Sequence, residues 1–244
     1  MKIYIIPVPL ELQPKPLGFR YPPHNKDYGV EQDFLKYLKQ NSHLLTENHK
    51  EADYHYLPIF WTRLYWKKVL IGKTHSPEQL MKELDHTLHS LIINDSISFT
   101  VCQYAGMDQQ RTQNNICLGK TVLLSPCRRE REGRIVDIPL LCTPHKPIIA
   151  SRSKKYKACF NGKYMTHPLR GEMAEKLANR EDVLIREYDP DPSRYLRWLV
   201  GRTFVQNILS SYIALSPRGT SSGSFRFYEA MQLGVVPCWI GDID

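Results

Sequence analysis

The sequence predicts an α/β protein made of two units, each built on a parallel sheet. Short apolar runs alternate with helical segments in both halves of the 244-residue chain, and strands joined by helices pack into parallel α/β layers. A segment with prolines and clustered basic residues separates the halves. We therefore expect a first domain over residues 1–145, a linker over residues 146–155 and a second domain over residues 156–244.

The first half contains several short apolar runs and one long periodic segment. A helix is expected from Pro77 to Ile93, because proline is favoured at a helix start and leucines recur at regular spacing behind it. A shorter amphipathic helix is expected around Phe34–Leu38. The strands are expected within residues 2–6, 51–61, 97–104, 120–125 and 135–142.

The second half repeats the alternation. Val235–Ile240 is almost continuously apolar, which is typical of a parallel strand buried on both faces, and Gly234 is predicted to end the helix before it. Strands are expected at residues 156–160, 183–185, 212–215 and 235–240. Helices are expected at residues 168–177, at residues 193–210 and in the segment after Ser224.

Composition limits the class of protein. The 42% hydrophobic content excludes wholesale disorder, and no apolar run is long enough to cross a bilayer. The six cysteines show no C-x-x-C spacing, so we expect reduced thiols in a cytoplasmic protein. The nine histidines show no ligand spacing, so no metal is expected. The net charge of +8 suits an anionic ligand, a membrane surface or nucleic acid.

The stretch from Ser216 to Asp242 concentrates residues suited to an anion. A loop of small and hydroxylated residues separates an apolar run from a helix, so backbone N–H groups there can approach a phosphate closely. Ser222 or Ser224 can cap that helix. Phe227, Ala230 and Met231 share one helical face, which we expect to be its apolar side.

Two arginines and a carboxylate complete this stretch. Arg218 and Arg226 flank the loop, and Glu229 follows one turn into the helix, where it suits sugar hydroxyls. The alternative is an ordinary strand–helix–strand unit with solvated arginines, in which Arg226 and Glu229 form a surface ion pair worth a few tenths of a kcal/mol. Ligands of parallel sheets bind outside the carboxyl ends of the strands, so the agreement of loop, charges and helix phase favours a site.

The same residues carry a resemblance to a known family. The strings Ser216-Pro217-Arg218-Gly219 and Ser224-Phe225-Arg226-Phe227-Tyr228-Glu229-Ala230, followed by Gly234-Val235-Val236-Pro237, resemble the signature of the exostosin-like glycosyltransferases, family 47 of the glycosyltransferase classification. Weaker similarities lie upstream, in Ala52-Asp53-Tyr54, in Asp137-Ile138-Pro139, and in Phe160-Asn161-Gly162 together with Arg170.

The resemblance implies a GT-B-type fold, with two Rossmann-like domains that face a cleft. It implies an inverting, metal-independent transfer of a hexose from a nucleotide-diphosphate sugar, without a cofactor, to a glycan or glycoconjugate in polysaccharide biosynthesis. Because the chain stops at Asp244, we expect the second domain to be incomplete. The predicted donor-binding residues are Gly162, Arg170, Arg218, Gly219, Ser222, Ser224, Arg226 and Glu229.

The catalytic base is the hardest role to assign. Asp108 follows the third predicted strand and is the candidate, although a solvated loop aspartate fits the same position. Two other functions stay open: a different GT-B enzyme similar to the fucosyltransferases, and a non-catalytic basic module for acidic glycans or nucleic acid. With a nucleotide-sugar donor we expect no nucleic-acid partner, while peripheral contact with a membrane remains open.

Overall fold

The computed structural model describes residues 1–16, 29–103, 118–126, 135–142, 145, 153–187, 194–219 and 223–241. The chain divides into two compact units, Met1–Leu141 and Cys142–Asp244. The first is called unit 1 and the second unit 2, and each is described by itself.

Unit 1 is a parallel sheet with helical connections. In its described part, five strands lie side by side in chain order, and the register places Ile3 beside Tyr54 and Phe99 beside Val122. The strands are β1 (Ile3–Ile5), β2 (Tyr54–Tyr56), β3 (Ser98–Val101), β4 (Val122–Ser125) and β5 (Ile135–Asp137). The helices are α1 (Val30–Gln40), α2 (Trp61–Tyr65), which runs on into a π-helical segment (Trp66–Ile71), and α3 (Pro77–Leu91).

The predicted helix at Pro77 is confirmed, and its start is well defined. Ser76 forms a capping box with Gln79: the Gln79 backbone N–H donates to the Ser76 hydroxyl, and the Ser76 N–H donates to the Gln79 side chain. Leu80, Leu84 and Leu88 are at most 1% exposed and belong to the core of unit 1. The predicted strand at residues 135–142 is shorter than expected and ends at Asp137.

Unit 2 has a second parallel sheet with a different strand order. Its strands are β6 (Tyr156–Asn161), β7 (Val183–Arg186), β8 (Ser211–Pro217) and β9 (Val236–Ile240), and its helices are α4 (Pro168–Leu177), α5 (Arg194–Leu209) and α6 (Phe225–Gln232). The described strands lie in the order β7-β6-β8-β9, and every neighbouring pair is parallel. The two parallel sheets confirm the predicted α/β class.

The strand order places a topological switch point in unit 2. The chain leaves β6 through α4 to reach β7 on one side, and it returns through α5 to β8 on the other side of β6. The connections that follow β6 and β8 therefore diverge at the carboxyl ends of these neighbouring strands. Such a divergence opens a crevice at the sheet edge, which is where open α/β sheets bind ligands.

Two predictions about the end of unit 2 were wrong. β9 was expected to be buried on both faces, yet Val236 is 63% and Trp239 is 42% exposed, because β9 pairs only with β8 among the described strands and lies at their edge. Met231 was expected on the apolar face of α6 but is 57% exposed. The predicted helix stop is confirmed, since Gly234 has a φ of 67°, which favours glycine.

None of the helices in the described ranges is both long and apolar enough to span a membrane. Of the cysteines in those ranges, Cys102, Cys142 and Cys159 are buried, Cys238 is partly buried, and none forms a disulfide.

Candidate functional site

The switch point of unit 2 brings together two segments that the sequence assigned to one site. Asn161 ends β6 and Gly162 follows it, and Arg218 and Gly219 follow β8. The register pairs Cys159 with Ala214, so the two strand ends lie at about the same level of the sheet. Helix α6 begins shortly after Gly219 in the sequence and packs against both β8 and β9.

Arg226 is buried at this edge and is only 8% exposed. Its Nη2 atom donates a hydrogen bond to the carbonyl oxygen of Asn161. Its guanidinium carbon lies 4.5 Å from the ring centre of Phe160 and 5.9 Å from that of Phe204. A side chain on Gly162 would collide with Nη2 of Arg226, which explains the glycine directly after the strand.

Arg170 lies on α4 and holds the backbone of the site. Its Nε donates to the carbonyl of Arg218 at 2.8 Å, Nη2 to the carbonyl of Pro217 at 3.2 Å, and Nη1 to the carbonyl of Lys163 at 3.1 Å. A Cβ on Gly219 would lie 2.9 Å from Nη2 of Arg170, so a larger residue there would require the guanidinium to shift. These contacts give Arg170 a positioning role that the sequence did not predict.

Burial and the neighbouring Arg226 guanidinium lower the pKa of Arg170 to about 9. An arginine side chain remains charged in proteins, so the lowered pKa indicates a positive charge in an unfavourable environment. An anion at this edge of the sheet would relieve that cost.

The other predicted residues of this loop follow β8. Arg218 is 7% exposed, and its backbone N–H donates to the carbonyl of Ile240, which extends the pairing of β8 with β9. Ser224 occupies the N-cap position of α6 and is 3% exposed, but its hydroxyl accepts no capping hydrogen bond there. Ser224 therefore takes the predicted N-cap position without the predicted side-chain hydrogen bond. Ser222 and Asp108 lie outside the described residues.

Glu229 is buried on α6, with 6% exposure. A solvated pair with Arg226, the structural alternative for this residue, does not fit two side chains that are both buried. Nε2 of His145 lies 3.6 Å from Oε1 of Glu229. Sequence reasoning missed His145, because it lies in a proline-rich segment far from the motif that contains Glu229.

Among the described residues of unit 2, the buried positive side chains outnumber the buried negative ones. The buried charged side chains in the described part of unit 2 are three arginines, Arg170, Arg218 and Arg226, and one carboxylate, Glu229. Burial disfavours the charged form of every such group unless an opposite charge lies nearby. Three buried guanidiniums at one edge of a sheet suit a ligand that carries negative charge. Within the described residues, no three His, Cys, Asp or Glu side chains cluster in a way that suits a metal ion.

Unit 1 also has a buried charge that sequence reasoning missed. Glu31 of α1 is fully buried, accepts a 2.6 Å hydrogen bond from the Thr62 hydroxyl, and accepts a 3.0 Å hydrogen bond from the Gln103 backbone N–H. Its second oxygen, Oε2, has no hydrogen-bond partner among the described residues. Burial raises the pKa of this carboxyl. A glutamate in an amphipathic helix is ordinarily solvated, so its sequence context does not reveal it.

Two parallel α/β sheets, one of them with an arginine-rich switch point, define the Rossmann-like class of proteins that bind anionic ligands at the carboxyl ends of their strands. The Exostosin GT47 domain model matches residues 1–243, so the chain belongs to the exostosin GT47 family of glycosyltransferases. Its fold is the GT-B type that the sequence predicts, and its family implies a sugar donor and an acceptor. No curated protein matches the chain in a sequence comparison.

Proposed function

We propose that the chain transfers a hexose from a nucleotide-diphosphate sugar to a hydroxyl of a glycan or glycoconjugate, with inversion at the anomeric carbon. The observation that carries the proposal is the group of three buried guanidiniums and one buried carboxylate in unit 2. A nucleoside diphosphate offers a strong anion to the arginines and ribose hydroxyls to the carboxylate. Both features occur in one ligand, at the edge of the sheet where such folds bind.

The proposal gives each residue a role that agrees with its position in unit 2. Arg218 and Arg226 bind the diphosphate, supported by the positive end of α6 and by the loop that contains Gly219, Ser222 and Ser224. Arg170 keeps the carbonyls of this loop in place, and Gly162 leaves room for the guanidinium of Arg226. Glu229 accepts hydrogen bonds from the ribose.

In the proposed reaction, a base removes the proton of the acceptor hydroxyl while its oxygen bonds to the anomeric carbon. The bond between that carbon and the phosphate oxygen breaks, and its electron pair leaves with the nucleoside diphosphate. Guanidiniums that meet the charge developing on the leaving group stabilise the transition state by several kcal/mol. We therefore expect transfer without a metal ion, and Asp108 remains the predicted base.

Nucleotide binding tests the donor site directly. UDP, GDP and their hexose conjugates are screened by thermal shift, and a ligand at 100 times its Kd stabilises the protein by about 2.7 kcal/mol. The enzymatic part is tested by release of UDP or GDP from the conjugates, with and without EDTA. A chain that is stabilised by no member of the panel, and that binds polyanions with a steep salt dependence instead, is a basic binding module and not this enzyme.

Two variants test the contact with the diphosphate and the contact with the ribose separately. Arg218→Met should weaken UDP and inorganic pyrophosphate alike, by about 10- to 150-fold, since a charged hydrogen bond contributes about 1.5–3 kcal/mol. Glu229→Gln should weaken UDP by about 5- to 10-fold and leave pyrophosphate unaffected, because a neutral amide accepts more weakly than a carboxylate. Arg180→Met, at an exposed arginine of unit 2, is the control. Equal effects of Glu229→Gln on both ligands would refute the ribose contact.

A further inference from the structure

His145 is held by one contact with α6 and one with α5, and neither contact involves its ring nitrogen Nε2. Its backbone N–H donates to the side-chain oxygen of Gln232 at 2.8 Å. Its ring stacks on Phe204, with the ring centres 6.2 Å apart and an angle of 29° between the planes. Nearby, the side chain of Gln232 also donates to the sulfur of Cys142 at 2.8 Å. The position of the imidazole is therefore fixed without any hydrogen bond from Nε2.

Nε2 of His145 faces the carboxylate of Glu229 across a short gap. The 3.6 Å between Nε2 and Oε1 is longer than a normal hydrogen bond. Both residues are largely buried, with 13% of the His145 side chain and 8% of the Glu229 side chain exposed. Nε2 has no hydrogen-bond partner among the described residues. A buried polar atom that lacks a partner in the protein is suited to a ligand group.

The pair offers complementary hydrogen-bonding groups. The carboxylate only accepts hydrogen bonds, while Nε2 of the imidazole donates or accepts according to its tautomer. Two hydroxyls on adjacent carbons can each reach one member of such a pair. A nucleoside diphosphate carries this diol in its ribose, joined to the anion that the arginines of the same unit would bind.

We propose that His145 is a second ribose-binding residue, which acts together with Glu229 and makes the donor site selective for ribonucleotides over 2′-deoxyribonucleotides. The proposal rests on the proposed function, because it assumes that a nucleoside diphosphate occupies unit 2. It goes further in naming a residue outside the signature motif and the feature of the nucleotide that this residue recognises.

The alternative is that His145 only pairs with Glu229 and anchors its own segment to α6. In that case, removing the imidazole would lower stability or weaken all nucleotides equally. Recognition of the diol predicts a different result, because a site built to bind a hydroxyl strongly rejects an analogue that lacks it. The ratio of the affinities for ribo- and deoxyribonucleotides therefore separates the two roles.

The experiment is a calorimetric titration of UDP, 2′-deoxy-UDP, GDP and 2′-deoxy-GDP into the wild-type chain and three variants. The wild type should prefer the ribonucleotide by at least about 10-fold, which corresponds to one hydrogen bond. His145→Leu should reduce this preference to below about 3-fold, mainly by weakening the ribonucleotide. His145→Gln keeps an amide nitrogen near the position of Nε2 and should retain most of the preference. His86→Gln, at an exposed histidine of unit 1, should behave as the wild type.

The outcomes separate the two levels of the proposal. If the wild type binds ribo- and deoxyribonucleotides equally, or if His145→Leu weakens both by the same factor, the role of His145 is refuted while the donor site stands. If the wild type binds neither UDP nor GDP, the proposed function fails, and the role of His145 fails with it. Should His145→Leu not fold, His145→Phe takes its place, because phenylalanine keeps a ring to stack on Phe204 but has no ring nitrogen. A lost preference in His145→Phe supports the role of His145, and an unchanged preference refutes it.

Discussion

Replacing Gly162 with alanine perturbs the crowded packing beneath Arg226. An added Cβ would collide with Nη2 of Arg226 and lie 3.2 Å from Cζ of Phe160. Phe160 is fully buried and cannot move away. The guanidinium must therefore shift, and it then loses its hydrogen bond to the carbonyl of Asn161 and part of its contact with the Phe160 ring.

The size of the effect follows from these two contacts. A hydrogen bond to a charged group contributes about 1.5–3 kcal/mol, and a desolvated cation–π contact contributes about 1–2 kcal/mol. Alanine offsets about 0.4–1 kcal/mol of this loss by restricting the unfolded chain. We expect Gly162→Ala to lower the free energy of unfolding by about 2–4 kcal/mol.

Gly171 provides a matched control for the same substitution. It lies in α4, and a Cβ there would meet no heavy atom within 4 Å. Gly171→Ala should therefore raise stability by about 0.5–1 kcal/mol, as expected for an unhindered helix position. Urea denaturation followed by circular dichroism measures both variants, and calorimetry with UDP follows the site. The reasoning is wrong if Gly162→Ala unfolds within about 0.5 kcal/mol of wild type, the range of an ordinary surface substitution.

Two further predictions concern unit 1. Burial raises the pKa of Glu31, so the stability that its protonated form contributes is present at low pH and is lost as the pH rises through the folded-state pKa. The unfolding free energy of Glu31→Gln relative to wild type should therefore increase between pH 4 and pH 8, by at most about 1.4 kcal/mol per pH unit, the limit for one proton. Glu47→Gln, at an exposed glutamate, is the control. A difference between Glu31→Gln and wild type that stays constant with pH contradicts the prediction. Ser76→Ala removes the capping box of α3 and should cost about 0.5–2 kcal/mol in urea denaturation without changing the affinity for UDP. A loss of UDP affinity in Ser76→Ala would show that α3 influences the donor site.

Local signals in the sequence predicted the order of the elements well. Pro77 behind Ser76 defines a helix start, and Gly234 defines a helix end, because each residue has a strong conformational preference of its own. The small-residue loop between Arg218 and Arg226 likewise indicated an anion site at a strand end. These predictions depend on neighbours in the chain, which the sequence displays directly.

The misses have a different origin. The exposure of Val236 depends on which strand lies at the edge of the sheet, which no local pattern reveals. Arg170 holds the carbonyls of Pro217 and Arg218, and these contacts join residues nearly fifty positions apart. His145 and Glu229 are brought together in the same way. Contacts of this range arise from tertiary packing, so periodicity and motif spacing could not predict them.

The ring of Phe160 lies close to the guanidiniums of two arginines. Its centre lies 4.5 Å from the guanidinium carbon of Arg226 and 5.7 Å from that of Arg170. Residues that share one partner do not contribute additively to stability. Substitutions at Arg170 and Arg226 should therefore show epistasis, and the effect of each should depend on whether the Phe160 ring is retained. In the evolution of this domain, the three side chains should change as a set and not one at a time.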